Sequence, residues 1–284
     1  MLTVSLRVMS QLDTPILVQN DPWLEEQSGA IQHRIDRFQH KLSEIVDSHG
    51  SLYGFANSHE MLGIHYSQEE KIWSVNEWAP NAKSVSLVGD FNSWDGDNCP
   101  LSRDNTGVWS TQLDGSALKH GDKVKLRILG ADYSLRDRIP ATIKRAIQDQ
   151  STHDYSGQVW QEDSPYVWQY EFDPSVIKAP VIYEGHTGMA GEEQRVHTYR
   201  EFADNTLPRI ADLGYNTVQL MAVQEHPYYG SFGYHVSNFF APCSRFGSPD
   251  DLKYLVDKAH GLGIAVIMDI VHSHAVKNLA EGLN

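Results

Sequence analysis

The hydrophobic residues of this chain change their period twice, which divides it into three regions of different structural kind. From Pro22 to about His49, Trp23, Leu24, Ile31, Ile35, Phe38, Leu42 and Ile45 recur at three, four and seven. That spacing predicts an amphipathic helix that stops at Ser48-His49-Gly50 and seeks a partner surface. From about Leu62 to Phe172 the period falls to two, with alternating stretches at 71–78, 84–88, 108–113 and 123–128. The turn clusters between them, such as Asp95-Gly-Asp-Asn and Asp114-Gly-Ser, complete the signature of a β-sandwich. From Lys178-Ala-Pro onward, apolar runs at 180–184, 217–221 and 263–268 alternate with helical patterns. Thr198-Tyr-Arg-Glu201 is a capping box opening the first of these helices, which Pro208 must kink or split and Gly214 closes. Ser248-Pro249-Asp250-Asp251 opens the second with an N-cap, a first-position proline and first-turn acids. This order predicts βα units on a parallel sheet whose strands are buried on both faces. Three such strands cannot close an eight-stranded barrel, which takes about 250 residues.

Charge and composition exclude several partners. Lys+Arg 23 against Asp+Glu 37 leaves −14 over 284 residues, the wrong sign for nucleic acid or an anionic membrane. No stretch has the ~18 apolar residues of a membrane span, and the opening MLTVSLRVMSQLDTP is a poor secretory signal. The two cysteines, Cys99 and Cys243, are too few for a disulfide framework, so a reducing, cytoplasmic location is expected. Trp 7 and Tyr 13 are an excess that suits either core filling or flat contact with a neutral, CH-rich ligand.

Two segments can carry chemistry. In 264–274, Asp269 interrupts an apolar strand, where an ionised carboxylate needs a partner, at the strand end where α/β proteins place their sites. A structural Asp paired with a buried Arg or His would fit the same pattern. His272 and His274 follow as His-x-His and could ligate zinc with Asp269, although the other strand ends offer only Glu184, His186 and Gln219. In 224–240, two glycines among six aromatics make a long connection that turns sharply while presenting ring faces, with Tyr234 as its ligand-facing candidate.

Four segments together carry a family resemblance: Tyr183-Glu-Gly-His186, 225–234, 244–252 and 269–278. They resemble the α-amylase superfamily, and more narrowly the 1,4-α-glucan branching enzymes of eukaryotic glycogen and starch synthesis. Glu77-Trp-Ala-Pro-Asn-Ala82 with 88–94 is similar to the starch-binding β-sandwich of those enzymes, and Asp21-Pro-Trp-Leu24 to the start of their N-terminal helix. The resemblance implies a multidomain β plus α/β chain. Its parts would be an unassigned segment 1–20, a helical segment 21–54, an immunoglobulin-like glucan-binding sandwich 55–172, and the first three βα units of a (β/α)8 TIM barrel over 173–284. It implies that Asp269 and His274 hold a sugar ring on which Tyr234 stacks. It further implies that Trp78, Lys125 and, more weakly, Trp94 contact glucan, with Ser48 and His49 contributing at the junction of helix and sandwich. No cofactor or metal is implied, and the partner is an α-1,4-glucan polymer such as glycogen, amylose or amylopectin. The family's chemistry is retaining, with a carboxylate nucleophile and a Glu acid/base. Those residues lie on later strands, so the resemblance places them past Asn284 and implies that this chain alone is inactive. A non-catalytic glucan-binding or regulatory protein derived from such an enzyme is the alternative.

Overall fold

The computed structural model describes residues 14–161 and 164–277. Most of the opening stretch and Asn278 of the last resembling segment lie outside the described residues. The chain divides into two compact units, Met1–His59 and Glu60–Asn284.

In the first unit, α1 (Ile16–Asn20) leads to a 3-10 turn at Pro22–Gln27, where the Asp21 carboxylate accepts from the Trp23 amide. The long helix α2 (Ser28–His49) ends as its spacing predicts. Gly50 takes φ +74°, a conformation open to glycine, and returns its amide to the Val46 carbonyl. Two short helices follow, α3 (Leu52–Ala56) and α4 (Ser58–Met61). The apolar stripe of α2 is only half-buried: Ile31, Ile35, Leu42 and Ile45 are partly covered, while Phe38 is exposed.

The second unit begins with two antiparallel sheets. One runs β1 (Gly63–Ser67), β2 (Ile72–Trp78), β5 (Val108–Asp114), β4 (Ser102–Arg103) in spatial order. The other runs β3 (Ser84–Gly89), β6 (Lys123–Leu129), β9 (Tyr155–Gln158), β8 (Ala146–Gln148), with β7 (Leu135–Arg138) also on β6. Alternation along each strand sends one set of side chains between the sheets. Trp73 and Val75 of β2 meet Val85 and Leu87 of β3 and Val124 and Leu126 of β6 in one core. A buried apolar face of this kind fixes strand register, because a slip of one residue would turn every core side chain outward.

The remainder is a three-stranded parallel sheet, β10 (Ile182–Gly185), β11 (Thr217–Leu220) and β14 (Ala265–Met268). Helix α5 (Tyr199–Glu201), capped by the Thr198–Glu201 box, passes into a π-turn at Phe202–Thr206 and then α6 (Leu207–Asp212). The Leu207 amide reaches back five residues to the Phe202 carbonyl. This widened turn is how the helix accommodates Pro208, whose ring cannot donate and crowds the carbonyl four residues before it. Helix α7 (Pro249–Gly261) starts at the N-cap expected at Ser248, which forms a capping box with Asp251. Tyr199, Phe202, Ile210, Val218 and Leu255 form the core between helices and sheet.

Burial on both faces of this sheet is the expectation that needs correction. Tyr183, Val218 and Val266 face the helices, but the register Glu184–Gln219–Ile267 lies on the other face. There Ile182 and Ile267 are 45% and 40% exposed, because no described element covers that side.

Candidate functional site

The connection after β11 folds into an excursion of its own. β12 (Gln224–Glu225) pairs antiparallel with β13 (Asn238–Pro242), and a 3-10 turn at Tyr229–Ser231 leads to Tyr234. Gly233 has φ +90°, and a Cβ there would lie 2.2 Å from the Ala222 carbonyl oxygen, so the sharp turn before Tyr234 needs glycine. Tyr234 and Phe239 then pack on Ala222, Val236 and Val271.

Asp269 stands immediately past β14, its amide bonded to the Leu220 carbonyl at 3.1 Å. The Tyr234 hydroxyl donates to its carboxylate at 2.9 Å. That bond, with burial next, raises the Tyr234 phenol above its usual value, and the Glu184 charge adds to the effect. On the neighbouring strand ends the Gln219 amide donates to Glu184 at 3.0 Å. Asp269, Tyr234, Glu184 and Gln219 thus present a neutral phenol, an amide and two carboxylates at one end of the parallel sheet. Such a group can grip the hydroxyls of a polar, uncharged ligand. His274 lies exposed on the following segment, which is tied back by Val271 N to Gln224 Oε1 at 3.0 Å and Val276 N to the Val236 carbonyl at 2.9 Å.

Beneath the excursion, the guanidinium of Arg245 donates to the carbonyls of His226 and Pro227 and to the Tyr155 hydroxyl, and sits 3.7 Å from the buried Glu225 carboxylate. Tyr155 belongs to the sandwich core, so one side chain fastens the aromatic excursion to the sandwich. In the sequence, Ser244-Arg-Phe-Gly carries only part of the family resemblance. Nothing in its spacing announces a clamp whose partners lie 18 and 90 residues away.

For metal, the described residues gather Glu225, His226 and Cys243 rather than His272 and His274. Both Glu225 oxygens already accept backbone amides, from His226 at 3.0 Å and Ser244 at 2.7 Å. Burial pushes His226 down to about 4 and raises the Cys243 thiol, which leaves both neutral. A cation there would also face the Arg245 guanidinium, so this set is a poor metal cage. His272 instead stacks on Phe239 with ring centroids 5.9 Å apart.

In the sandwich, Trp73, Val75 and Glu77 point inward, so Trp78 points out and is 59% exposed. Its indole N–H is bonded to the Thr106 carbonyl at 3.2 Å. Lys125 is buried on β6, and its neighbours Leu126 and Ile128 face the other way, toward the core. Trp94 is half-buried, its indole N–H on Asp90 at 3.2 Å and its carbonyl held by Arg127, which forks onto Asp137 at 2.9 Å. Trp78 and Lys125 therefore occupy different surfaces and cannot share one sugar ring. Tyr133, 75% exposed in the turn between β6 and β7, is an aromatic that the alternating pattern did not single out, because turn residues carry no period. In the first unit, Ser48 bonds the Glu44 carbonyl at 2.6 Å and His49 meets the Phe55 ring edge-on.

Two family matches and several long alignments accompany this geometry. Residues 61–143 match Carbohydrate-binding module 48 (Isoamylase N-terminal domain), and residues 204–281 match Alpha amylase, catalytic domain. The chain is 46% identical over 274 residues to 1,4-alpha-glucan-branching enzyme 1, chloroplastic/amyloplastic, of Pisum sativum, covering 93% of this chain and 33% of that protein. It is 44% identical over 276 residues to the 1,4-alpha-glucan-branching enzyme of Emericella nidulans, covering 94% and 40%. In fold it is similar to the pullulanase SAP of Group B Streptococcus, with a TM-score of 0.61 at 19% identity, covering 74% of this chain and 33% of that one. The chain spans a third to two fifths of the length of the curated relatives it matches.

Proposed function

The chain belongs by sequence to the 1,4-alpha-glucan-branching enzymes, and from that premise we propose that it serves the binding half of their reaction. In this reading an α-1,4-glucan is cleaved and its chain passed to a 6-hydroxyl, forming an α-1,6 branch. Residues 21–54 are a helical segment, 55–172 a glucan-binding sandwich, and 173–284 the first βα units of a (β/α)8 barrel. The observation that carries the reading is the Tyr234–Asp269 pair, with its 2.9 Å bond, at the C-terminal end of a parallel strand. Asp269 and His274 would hold one glucose ring by its hydroxyls while Tyr234 covers a face. Trp78, Lys125 and Trp94 would hold the polymer on the sandwich.

Retaining transfer needs a nucleophile carboxylate and an acid/base Glu, and the family resemblance gives neither role to a residue of this chain. Positioning residues do not replace a missing covalent step. The 284-residue polypeptide should therefore bind glycogen without branching it. Retardation in a glycogen-containing native gel tests the first statement. Iodine-colour loss and new α-1,6 linkages on amylose test the second, and activity clearly above a heat-killed control would overturn it. A cytoplasmic location belongs to the same reading, supported by two cysteines that are both buried and unbridged. Among the described residues, no helix is long and apolar enough to cross a membrane.

A further inference from the structure

A cavity of about 320 Å³ lies on the helix-bearing side of the parallel sheet, and none of its walls belongs to the Tyr234–Asp269 group. One wall is a face of the π-turn and α6, where Asn205, Thr206 and Arg209 follow Phe202 by three, four and seven residues. The other is the loop 190–197. Both walls are fixed without a ligand. Arg195 holds the Glu193 carboxylate at 2.6 Å and forks onto Glu201, the capping-box residue of α5, at 3.1 and 2.5 Å. The buried His197 ring lies against Gly191, where a Cβ would come within 2.0 Å of it. Arg195, Glu193 and Glu201 thus compensate one another. Glu192 and Arg209 line the same cavity, yet their side chains make no ion pair or hydrogen bond among the described residues, with each other or with anything else. The side chains of Asn205 and Thr206 are equally unused.

We propose that this cavity binds a small zwitterion of the amino-acid class, its carboxylate on Arg209 and its ammonium on Glu192. A simple anion would meet the carboxylates of Glu192, Glu193 and Glu201, and a simple cation the guanidiniums of Arg195 and Arg209. A neutral sugar would displace water from two free charges and return nothing of equal strength to either. A ligand that carries both charges gives each a charge-assisted hydrogen bond. Asn205 and Thr206 stand on the Arg209 wall, where they can donate to the same carboxylate, and Ala190 and Phe202 offer an apolar patch to an aliphatic side chain. The volume falls at the lower end of small-molecule sites, which suits one amino acid better than a glucan chain.

The test is saturation-transfer NMR on the full 284-residue chain with three probes. L-Leucine carries both charges, N-acetyl-L-leucine lacks the ammonium, and L-leucinamide lacks the carboxylate. Leucine should bind in the millimolar range, and each blocked form about fivefold more weakly or worse, because it loses one charge-assisted contact at a solvent-facing site. Arg209→Gln and Glu192→Gln should each weaken leucine binding by a similar factor. Both replace exposed side chains without partners, so both variants should melt as the parent does. N-Acetyl-leucine binding as well as leucine would make this an anion site, and leucinamide binding as well would make it a cation site; either result overturns the proposal. Leucine binding that survives both substitutions would place the ligand elsewhere and overturn it too. So would the absence of any transfer from the parent chain at about 20 mM leucine, well above the expected dissociation constant.

Discussion

Glu77 is the side chain whose environment departs furthest from what its position in an alternating strand suggests. It points inward from β2 beside Trp73 and Val75, and its carboxylate accepts the Ala141 amide at 3.0 Å. Burial nevertheless pushes it up to about 7 from an ordinary 4.5. The folded state therefore keeps a proton that the unfolded chain releases near 4.5. Stability from this group is full below that value, declines as pH rises, and levels off above about 7. The total is about 3 kcal/mol at most. Glu77→Gln keeps an acceptor for Ala141 and removes the titration. Urea unfolding at pH 5 and pH 8 should show a smaller loss in the variant than in the parent, and equal losses would refute the account. At this scale the sequence was partly legible. Asp269 stood out because a carboxylate in an apolar strand needs a partner, and Tyr234 supplies a hydrogen bond to it. The separation of Trp78 from Lys125 was invisible, because period-two alternation assigns faces within a strand and not between two sheets.

Among elements, the stretch 166–170 shows how tertiary contact overrides pattern. It continues the aromatic-rich composition of the sandwich, yet it pairs with no strand and runs along α7. There Asp257, 2% exposed, accepts the Tyr166 hydroxyl at 2.8 Å and the amides of Gln169 and Tyr170 at 3.0 Å. Asp257→Ala would strand these three donors, a loss of roughly 3 kcal/mol if each unsatisfied group costs 1–3 kcal/mol and water recovers part. The expected result is a lower melting temperature together with new chymotrypsin cuts within 166–170. A lower melting temperature with no change in cleavage would mean that the segment is held by other contacts. The helix ends, the Thr198–Glu201 capping box, the Ser248 N-cap and the break at Pro208 were legible, since each depends on residues within one turn. The pairing of β12 with β13 was not, because two-residue strands have no measurable period.

At the scale of the molecule, a charge of −14 and a neutral ligand are independent of each other. Glycogen retardation should change less than twofold between low salt and about 0.5 M NaCl, where surface electrostatics are largely screened. Steep salt dependence would point to an ionic contact instead. The uncovered face of the parallel sheet carries Ile182 and Ile267 at 45% and 40% exposure, beside strands with unpaired outer edges among the described residues. Exposed apolar surface and open edges drive association. Sedimentation velocity should show the 284-residue chain self-associating with concentration and Ile267→Lys reducing it. A monomeric parent chain would contradict this. The Arg245 clamp also constrains anyone who would exchange parts between such proteins. Its guanidinium spends one donor on a phenol from the sandwich and the others on the aromatic excursion, so the two cannot be inherited or engineered as independent cassettes. A sandwich grafted from elsewhere without a hydroxyl at the place of Tyr155 would leave a half-buried cation short of a partner, and the misfit would surface in the excursion that carries Tyr234.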